Sequence, residues 1–138
     1  MHDEMIMVIR LILAGLLGGL IGFQREEIGK AAGIRTLALI AIGACLLASM
    51  SSFGFSPTNN QLVANIVVGI GFLGTGAIIH REQGVIEGMT TAATIWVSAA
   101  IGIAAGIGFY FTAIGATIIV LGVLFLPHIR SDRGSKKE

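Results

Sequence analysis

The sequence predicts an all-α integral membrane protein with five transmembrane helices that pack through glycine. Of its 138 residues, 54% are hydrophobic and only 12% are charged, and the mean hydropathy is +0.88. Soluble domains contain about 25% charged residues, and a small one needs polar groups to cover its surface. Glycine is the second anomaly, with 20 residues and no collagen-like period. Lipid is therefore the expected solvent.

The first three predicted helices follow from runs without charge, since a span takes about 20 mostly apolar residues. The run from Met5 to Phe23 is apolar except for Arg10. The segment 36–79 contains no Asp, Glu, Lys or Arg, and the polar patch 56–61 divides it into two spans.

The last two helices come from the segment 88–127, which is uncharged and long enough to cross twice, with a turn at 106–108. The prediction is one transmembrane domain over residues 1–126 and a short basic tail over 127–138. The predicted spans are 5–23, 36–55, 62–80, 88–106 and 109–126.

The distribution of basic residues predicts the orientation. Lys and Arg lie in the first connection, in the third connection and in the tail, and the other two connections have none. Because positive residues favour the cytoplasmic side, the N-terminus is predicted outside and the C-terminus in the cytoplasm. Arg10 is the exception, and we expect it to reach toward headgroups or toward Asp3 and Glu4.

Small residues recur at helical spacing within these spans. In lipid, helices associate where small residues let their backbones approach. One face of the fourth span consists of small residues at steps of four, namely Thr90, Thr94 and Ser98 followed by two glycines. The glycines predicted to pack helices are Gly15, Gly18, Gly19, Gly22, Gly69, Gly71, Gly74, Gly76, Gly102 and Gly106.

The first and third connections resemble each other. Each has an Arg-Glu pair, then a glycine, then a threonine that enters the next span, which suggests a parallel repeat of helix pairs, spans 1–2 and 3–4. The repeat would gather polar residues at the cytoplasmic face. The predicted cluster is Arg25, Glu26, Arg35, Thr36, Arg81, Glu82, Glu87, Thr90 and Thr91.

Two interpretations of this cluster stay open. The residues could be ordinary interfacial charges and helix caps. Alternatively they form a working site, in which carboxylates hold a cation, with Glu82 and Glu87 as candidate metal ligands, or arginines meet an acidic partner.

Within the spans, Asn65, Thr94 and Ser98 are the polar candidates. Asn65 is predicted to be a buried amide, and the Thr90, Thr94 and Ser98 face could line a passive ion path or simply form hydrogen bonds between helices. The three histidines are far apart and there is one cysteine, so we expect no catalytic activity and no resident cofactor. The net charge of +1 argues against a nucleic-acid partner.

Four stretches of the chain resemble the membrane domain of the MgtC/SapB family. They are GFQRE at 22–26, AGIRT at 32–36, IVVGIGFLGTG at 66–76 and GMTTAATIWVSAAIG at 88–102. They occur in the same order and spacing as in the family and cover most of the chain. The last two stretches are specific to this family.

The resemblance implies a multi-pass protein of the bacterial inner membrane, linked to growth in low magnesium and to survival inside macrophages. It implies a regulator that binds the F-type ATP synthase, with Mg²⁺ as ligand or signal. A small ion transporter or channel is the alternative, and the glycine faces suggest a homo-oligomer. Members that act in virulence have Asn at the position of Thr90, Cys at the position of Val97, and a soluble C-terminal domain. We expect this chain to be a short form without that domain, which places a virulence role in doubt.

Overall fold

The computed structural model describes residues 1–53, 61–80 and 86–127, and there it is helical apart from one pair of two-residue strands. The strands pair antiparallel, with Ile79 opposite Glu87. Each helix is apolar on nearly all sides, as expected where lipid replaces water. The elements are α1 (His2–Glu27), α2 (Ile34–Phe53), α3 (Gln61–Gly76), β1 (Ile79–His80), β2 (Ile86–Glu87), α4 (Met89–Gly106) and α5 (Tyr110–Leu124).

Three of these helices, α1, α2 and α4, are long and apolar enough to cross a membrane. The helices α3 and α5 are apolar but shorter, with 16 and 15 residues. The all-helical membrane architecture therefore agrees with the sequence analysis, and the count of five spans stays a prediction.

The third helix ends earlier than its predicted limit at residue 80. It stops at Gly76, and Ile79–His80 instead pairs with Ile86–Glu87. Gly74 and Gly76 weaken the last helical turn, because glycine loses more backbone entropy in a helix than other residues. Gly88 then starts α4 with a φ of +93°, and its α-carbon lies directly against the carbonyl group of Ala77. A side chain at that position would meet backbone.

The core lies where α1, α2 and α4 meet, with α5 adding to one side. Ile21 of α1, Leu37 of α2 and Ile101 of α4 are its largest fully buried apolar side chains together with Cys45. α3 packs chiefly against α4 and touches α2 less. The consequence is a tight centre of three helices with α3 at its edge.

Glycine allows the close crossings of this centre. A Cβ on Gly18 would lie 2.6 Å from the Leu37 carbonyl oxygen, and one on Gly22 would lie 2.6 Å from the Ile34 α-carbon. On α4, Gly102 lies against the Ala41 carbonyl. Gly15 and Gly106 make similar close contacts with α2, whereas Gly19 makes only an ordinary contact at 3.9 Å.

The glycines of α3 behave differently from the prediction. Gly74 approaches Ala92 at 3.7 Å, but a Cβ on Gly69, Gly71 or Gly76 would meet no atom of the described residues within 4 Å. All three are exposed because α3 sits at the edge of the bundle, where Gly69 and Gly76 line open cavities and Gly71 lines neither of them. They pack no helix of this chain within the part that the structure describes.

Large apolar side chains cover the outside of the bundle. Phe111 is 92% exposed and Phe72 is 81% exposed, and Val68, Leu39 and Ile119 are also exposed. Isolated exposed apolar residues are normal in soluble proteins, but a surface dominated by them indicates contact with lipid or with partners.

The repeat of helix pairs also stays a prediction. α1 and α2 are joined by residues 28–33 without a strand, whereas the connection between α3 and α4 begins in β1 and ends in β2. The second Arg-Glu pair, Arg81 and Glu82, lies outside the described residues.

Candidate functional site

Arg25, near the end of α1, is a buried cation. It is 3% exposed, and its Nη2 donates a hydrogen bond of 2.5 Å to the Thr91 hydroxyl oxygen on α4. Its Nε has no hydrogen-bond partner among the described residues. Because arginine stays protonated and burying an unpaired charge is costly, the polar end of the bundle retains a positive charge that is not neutralised by the described residues.

Gln24, next to it, ties α1 to α5. Its Nε2 donates to the Leu124 carbonyl oxygen at 3.4 Å, at the last residue of α5, where backbone carbonyls lack helical partners. Its Oε1 is buried without a hydrogen-bond partner within residues 1–53, 61–80 and 86–127. Gln24 is not among the site residues that the sequence predicts, although a glutamine between an apolar run and an Arg-Glu pair is a usable signal.

Glu26 caps the start of α2. Its Oε2 accepts a hydrogen bond of 3.1 Å from the Ile34 backbone N–H, the first residue of α2. A carboxylate at a helix N-terminus is favourable because it meets free N–H groups and the positive end of the dipole. For Glu26 this supports the capping interpretation of the predicted cluster.

Arg35, Thr36 and Thr91 line one cavity of about 610 Å³. Its other walls come from the α1–α2 connection, from the end of α3 and from Ile95 of α4. Arg35 and Thr36 are exposed at the start of α2. The structure therefore brings together two pairs from the predicted cluster, Arg25 with Thr91 and Arg35 with Thr36.

Of the remaining cluster residues that the structure describes, Thr90 and Glu87 do not line this cavity. Thr90 is exposed on the first turn of α4 and Glu87 is exposed on β2. Arg81 and Glu82 lie outside the described residues. Among the described residues, no three His, Cys, Asp or Glu side chains are grouped to hold a metal ion.

The polar residues of α4 face the core. Thr94 is buried, and its hydroxyl donates to the carbonyl oxygens of Thr90 and Thr91 on its own helix, both at 2.8 Å. Ser98 is fully buried, and its hydroxyl has no hydrogen-bond partner in the part of the chain that the structure describes. Thr94 and Ser98 therefore pack inside the described part of the bundle, whereas Thr90 on the same face is exposed.

Asn65 is not the buried amide that the sequence predicts. It is exposed on α3 and lines a second cavity of about 480 Å³ between α2 and α3, whose other walls are apolar. The prediction failed because it assumed that α3 is enclosed by other helices, whereas α3 lies at the edge of the bundle.

Arg10 is the centre of a hydrogen-bonded cluster at the opposite end of the bundle. Its Nη1 donates to the Gly106 carbonyl oxygen at 2.6 Å, and its Nε donates to the Tyr110 hydroxyl at 2.9 Å. Ser49 donates to the same Gly106 oxygen at 3.0 Å, and the guanidinium lies 4.9 Å from the centre of the Phe53 ring. Arg10 thus caps the carboxyl end of α4, where a cation is favourable.

This contact corrects the expectation that Arg10 reaches toward headgroups or toward Asp3 and Glu4. Its partners are 96 and 100 residues away in sequence. The α1 helix places it beside the turn between α4 and α5, which no local pattern reveals.

Comparison with known proteins gives a consistent result. The model of the MgtC family matches residues 11–131. An uncharacterized protein of Haemophilus influenzae is 42% identical over 86% of this chain and 54% of its own length. "Putative magnesium transporter YhiD" of Escherichia coli K12 is 41% identical over 88% of this chain and 60% of its own. "Protein MgtC" of Salmonella typhimurium is 45% identical over 88% of this chain and 53% of its own length.

The chain thus spans little more than half the length of these relatives. No solved structure matches it.

Proposed function

Because this chain belongs to the MgtC family, we propose that it is a multi-pass membrane protein that regulates another membrane protein under magnesium limitation. The name of one relative, a putative magnesium transporter, supports the link to magnesium. We propose the F-type ATP synthase as the regulated partner, on the family resemblance. The proposed location is the bacterial inner membrane, with the C-terminus in the cytoplasm.

The observation that carries a regulatory role is the burial of Thr94 and Ser98 on α4. An ion path needs polar groups beside an opening, but Thr94 and Ser98 are buried in the core. Gly102 and Gly106 on the same face lie against the backbone of α2. The two cavities named above lie along α3 instead, and apolar side chains form most of their walls.

Exposure at the predicted cytoplasmic end supports a choice of docking surface. Arg25 and Thr91 are buried and hold the bundle together, whereas Thr90 is exposed at the predicted cytoplasmic end. Thr90 is also the position at which virulence-type members have Asn. We therefore propose that the surface around Thr90 docks the partner.

Affinity purification from detergent-solubilised bacterial membranes tests this docking. The wild-type chain should retain ATP synthase subunits. Thr90→Arg should lower their recovery about tenfold, the effect of roughly 1.4 kcal/mol at an interface. Thr112→Arg, at an exposed threonine on the first turn of α5, is the matched control and should retain them. Absence of ATP synthase subunits from the wild-type sample would contradict this partner.

The alternative is a small magnesium transporter or channel, which the name of the Escherichia coli relative favours. Reconstitution into liposomes with a magnesium-sensitive dye separates the two functions. We expect no saturable magnesium flux. Saturable flux that disappears in Glu82→Gln would overturn the regulatory proposal and make Glu82 a magnesium ligand.

We propose neither an enzymatic activity nor a resident cofactor, with Mg²⁺ acting as a signal. A homo-oligomer remains part of the proposal. Gly71 supports it, because this glycine on α3 is exposed outside the two cavities and leaves room for close approach of another helix.

A further inference from the structure

The two cavities beside α3 form one continuous groove. Leu39, Ile40 and Leu73 line both of them, so the cavity at Arg35 adjoins the cavity at Asn65 along α2 and α3. Their volumes, about 610 and 480 Å³, each fall within the range of roughly 300–1,000 Å³ that is typical of ligand sites. We call this feature, between α2 and α3, the α2–α3 groove.

The two ends of the groove have different chemistry. Arg35, Thr36 and Thr91 lie at one end, and the other end is lined by apolar side chains with Asn65 as the single polar one. Among the described residues that line the groove there is no carboxylate. The shape and polarity match an amphiphile with an anionic head.

The positive charge at the polar end is larger than Arg35 alone supplies. Arg25 lies behind Thr91 and donates to its hydroxyl oxygen, which fixes that oxygen as an acceptor. Among the hydrogen bonds of the described residues, the Thr91 hydroxyl donates to none, so its proton is available to a ligand in the groove. In a low-dielectric setting the buried guanidinium also attracts an anion at this position.

The length of the groove matches one leaflet of a bilayer. Thr36 and Leu47 line its two ends and lie eleven residues apart on α2, which corresponds to about 16 Å of helix. Half of a typical hydrocarbon core is about 15 Å. An acyl chain that begins at the level of Arg35 would therefore run along α2 to the bilayer centre.

We propose that the α2–α3 groove binds an anionic phospholipid, with its phosphate at Arg35 and Thr91 and one acyl chain between α2 and α3. Basic pockets between transmembrane helices are a known class of site for anionic headgroups. The site does not depend on the proposed regulatory function, and its test uses purified protein and lipid without ATP synthase.

Native mass spectrometry of the whole purified chain with added phosphatidylglycerol or phosphatidylcholine tests the proposal. Wild type should bind phosphatidylglycerol about tenfold more tightly, as expected for one charge-assisted contact. Arg35→Gln should remove this preference. Lys30→Gln, at an exposed lysine that does not line the groove, is the matched control and should keep it.

A second pair of variants tests the apolar part. A Cβ on Gly43 meets no atom within 4 Å although Gly43 lines the groove, so Gly43→Leu should fill it and weaken phosphatidylglycerol binding about tenfold or more. Gly115→Leu, at an equally open glycine on α5, should not. If Gly43→Leu fails to fold, Gly69→Leu on the facing wall replaces it.

Three results would overturn the proposal. One is unchanged lipid preference in Arg35→Gln together with unchanged binding in Gly43→Leu. Another is competition by free glycerol phosphate at the concentration at which the lipid binds, which would identify a soluble anion as the ligand. The third is a wild-type dimer that Gly43→Leu converts to a monomer without loss of bound lipid, which would assign the groove to a second copy.

Discussion

Replacing Gly18 with alanine tests whether backbone contact holds α1 against α2. The added Cβ would lie 2.6 Å from the Leu37 carbonyl oxygen and 2.8 Å from the Ala41 Cβ. Ordinary contact begins at 3.4 Å, so the two helices must move apart by about 0.8 Å at this crossing. The Leu37 oxygen belongs to the backbone and cannot rotate away.

The expected cost follows from this displacement. A gap of about 0.5–1 Å forfeits a quarter to a half of each dispersion contact, and overpacking typically costs about 1–3 kcal/mol. Alanine recovers about 0.5–1 kcal/mol through its better helix propensity. Gly18→Ala should therefore lower the free energy of unfolding by about 1–2 kcal/mol.

The adjacent Gly19 provides the matched control. Its added Cβ would meet only the Ile34 Cγ2 at 3.9 Å, so Gly19→Ala should be neutral or slightly stabilising. Titration with sodium dodecyl sulfate in mixed micelles, followed by Trp96 fluorescence, measures both variants. If Gly18→Ala is as stable as Gly19→Ala, close packing at this crossing does not contribute as argued.

Three further predictions concern the polar ends of the bundle. Arg10→Met should lower the free energy of unfolding by about 1.5–3 kcal/mol, because the carboxyl end of α4 loses a charged hydrogen-bond donor, measured by the same detergent titration. Thr91→Val should lower the free energy of unfolding by about 1–3 kcal/mol when Arg25 is present, because the buried guanidinium then loses its acceptor. In an Arg25→Met background the same substitution should cost much less, because no guanidinium is there to lose it. In a background without the native cysteine, a membrane-impermeant thiol reagent should label His2→Cys from outside and Glu87→Cys only after the cell is opened.

The outcomes that contradict these predictions are distinct. If Arg10→Met unfolds at the same detergent concentration as wild type, Arg10 does not stabilise the carboxyl end of α4. Equal costs of Thr91→Val in both backgrounds would show that the contact with Arg25 carries no coupling energy. Labelling of Glu87→Cys in intact cells would reverse the predicted orientation.

Much of the fold could be predicted because composition is a strong constraint in lipid. Long charge-free runs identified the helices, and the spacing of glycines on α1 identified Gly18 and Gly22, which lie at the crossing with α2. The ends of α3 were less predictable. Glycines inside an apolar run leave open whether the helix continues, and here it gives way to a strand pair after Gly76.

The site was harder to predict, because it depends on which faces meet. Arg25 and Glu26 are adjacent in sequence, yet one is buried against α4 and the other caps α2. Gly69 follows the same small-residue pattern as Gly18 but lines an open cavity instead of a helix crossing, and Asn65 is exposed in the same cavity. Local patterns specify a helix but not the helix that it packs against.

The unequal lengths of the helices have a consequence for the surrounding membrane. α1, with 26 residues, rises about 39 Å, whereas α5, with 15 residues, rises about 22 Å, against a hydrocarbon core of about 30 Å. In the predicted five-span arrangement, the hydrocarbon core must become thinner beside α5, whereas beside α1 it can keep its thickness. Hydrophobic mismatch of this kind costs fractions of a kcal/mol per Å and favours thinner bilayers on one flank of the protein. The molecule would therefore distort its bilayer asymmetrically.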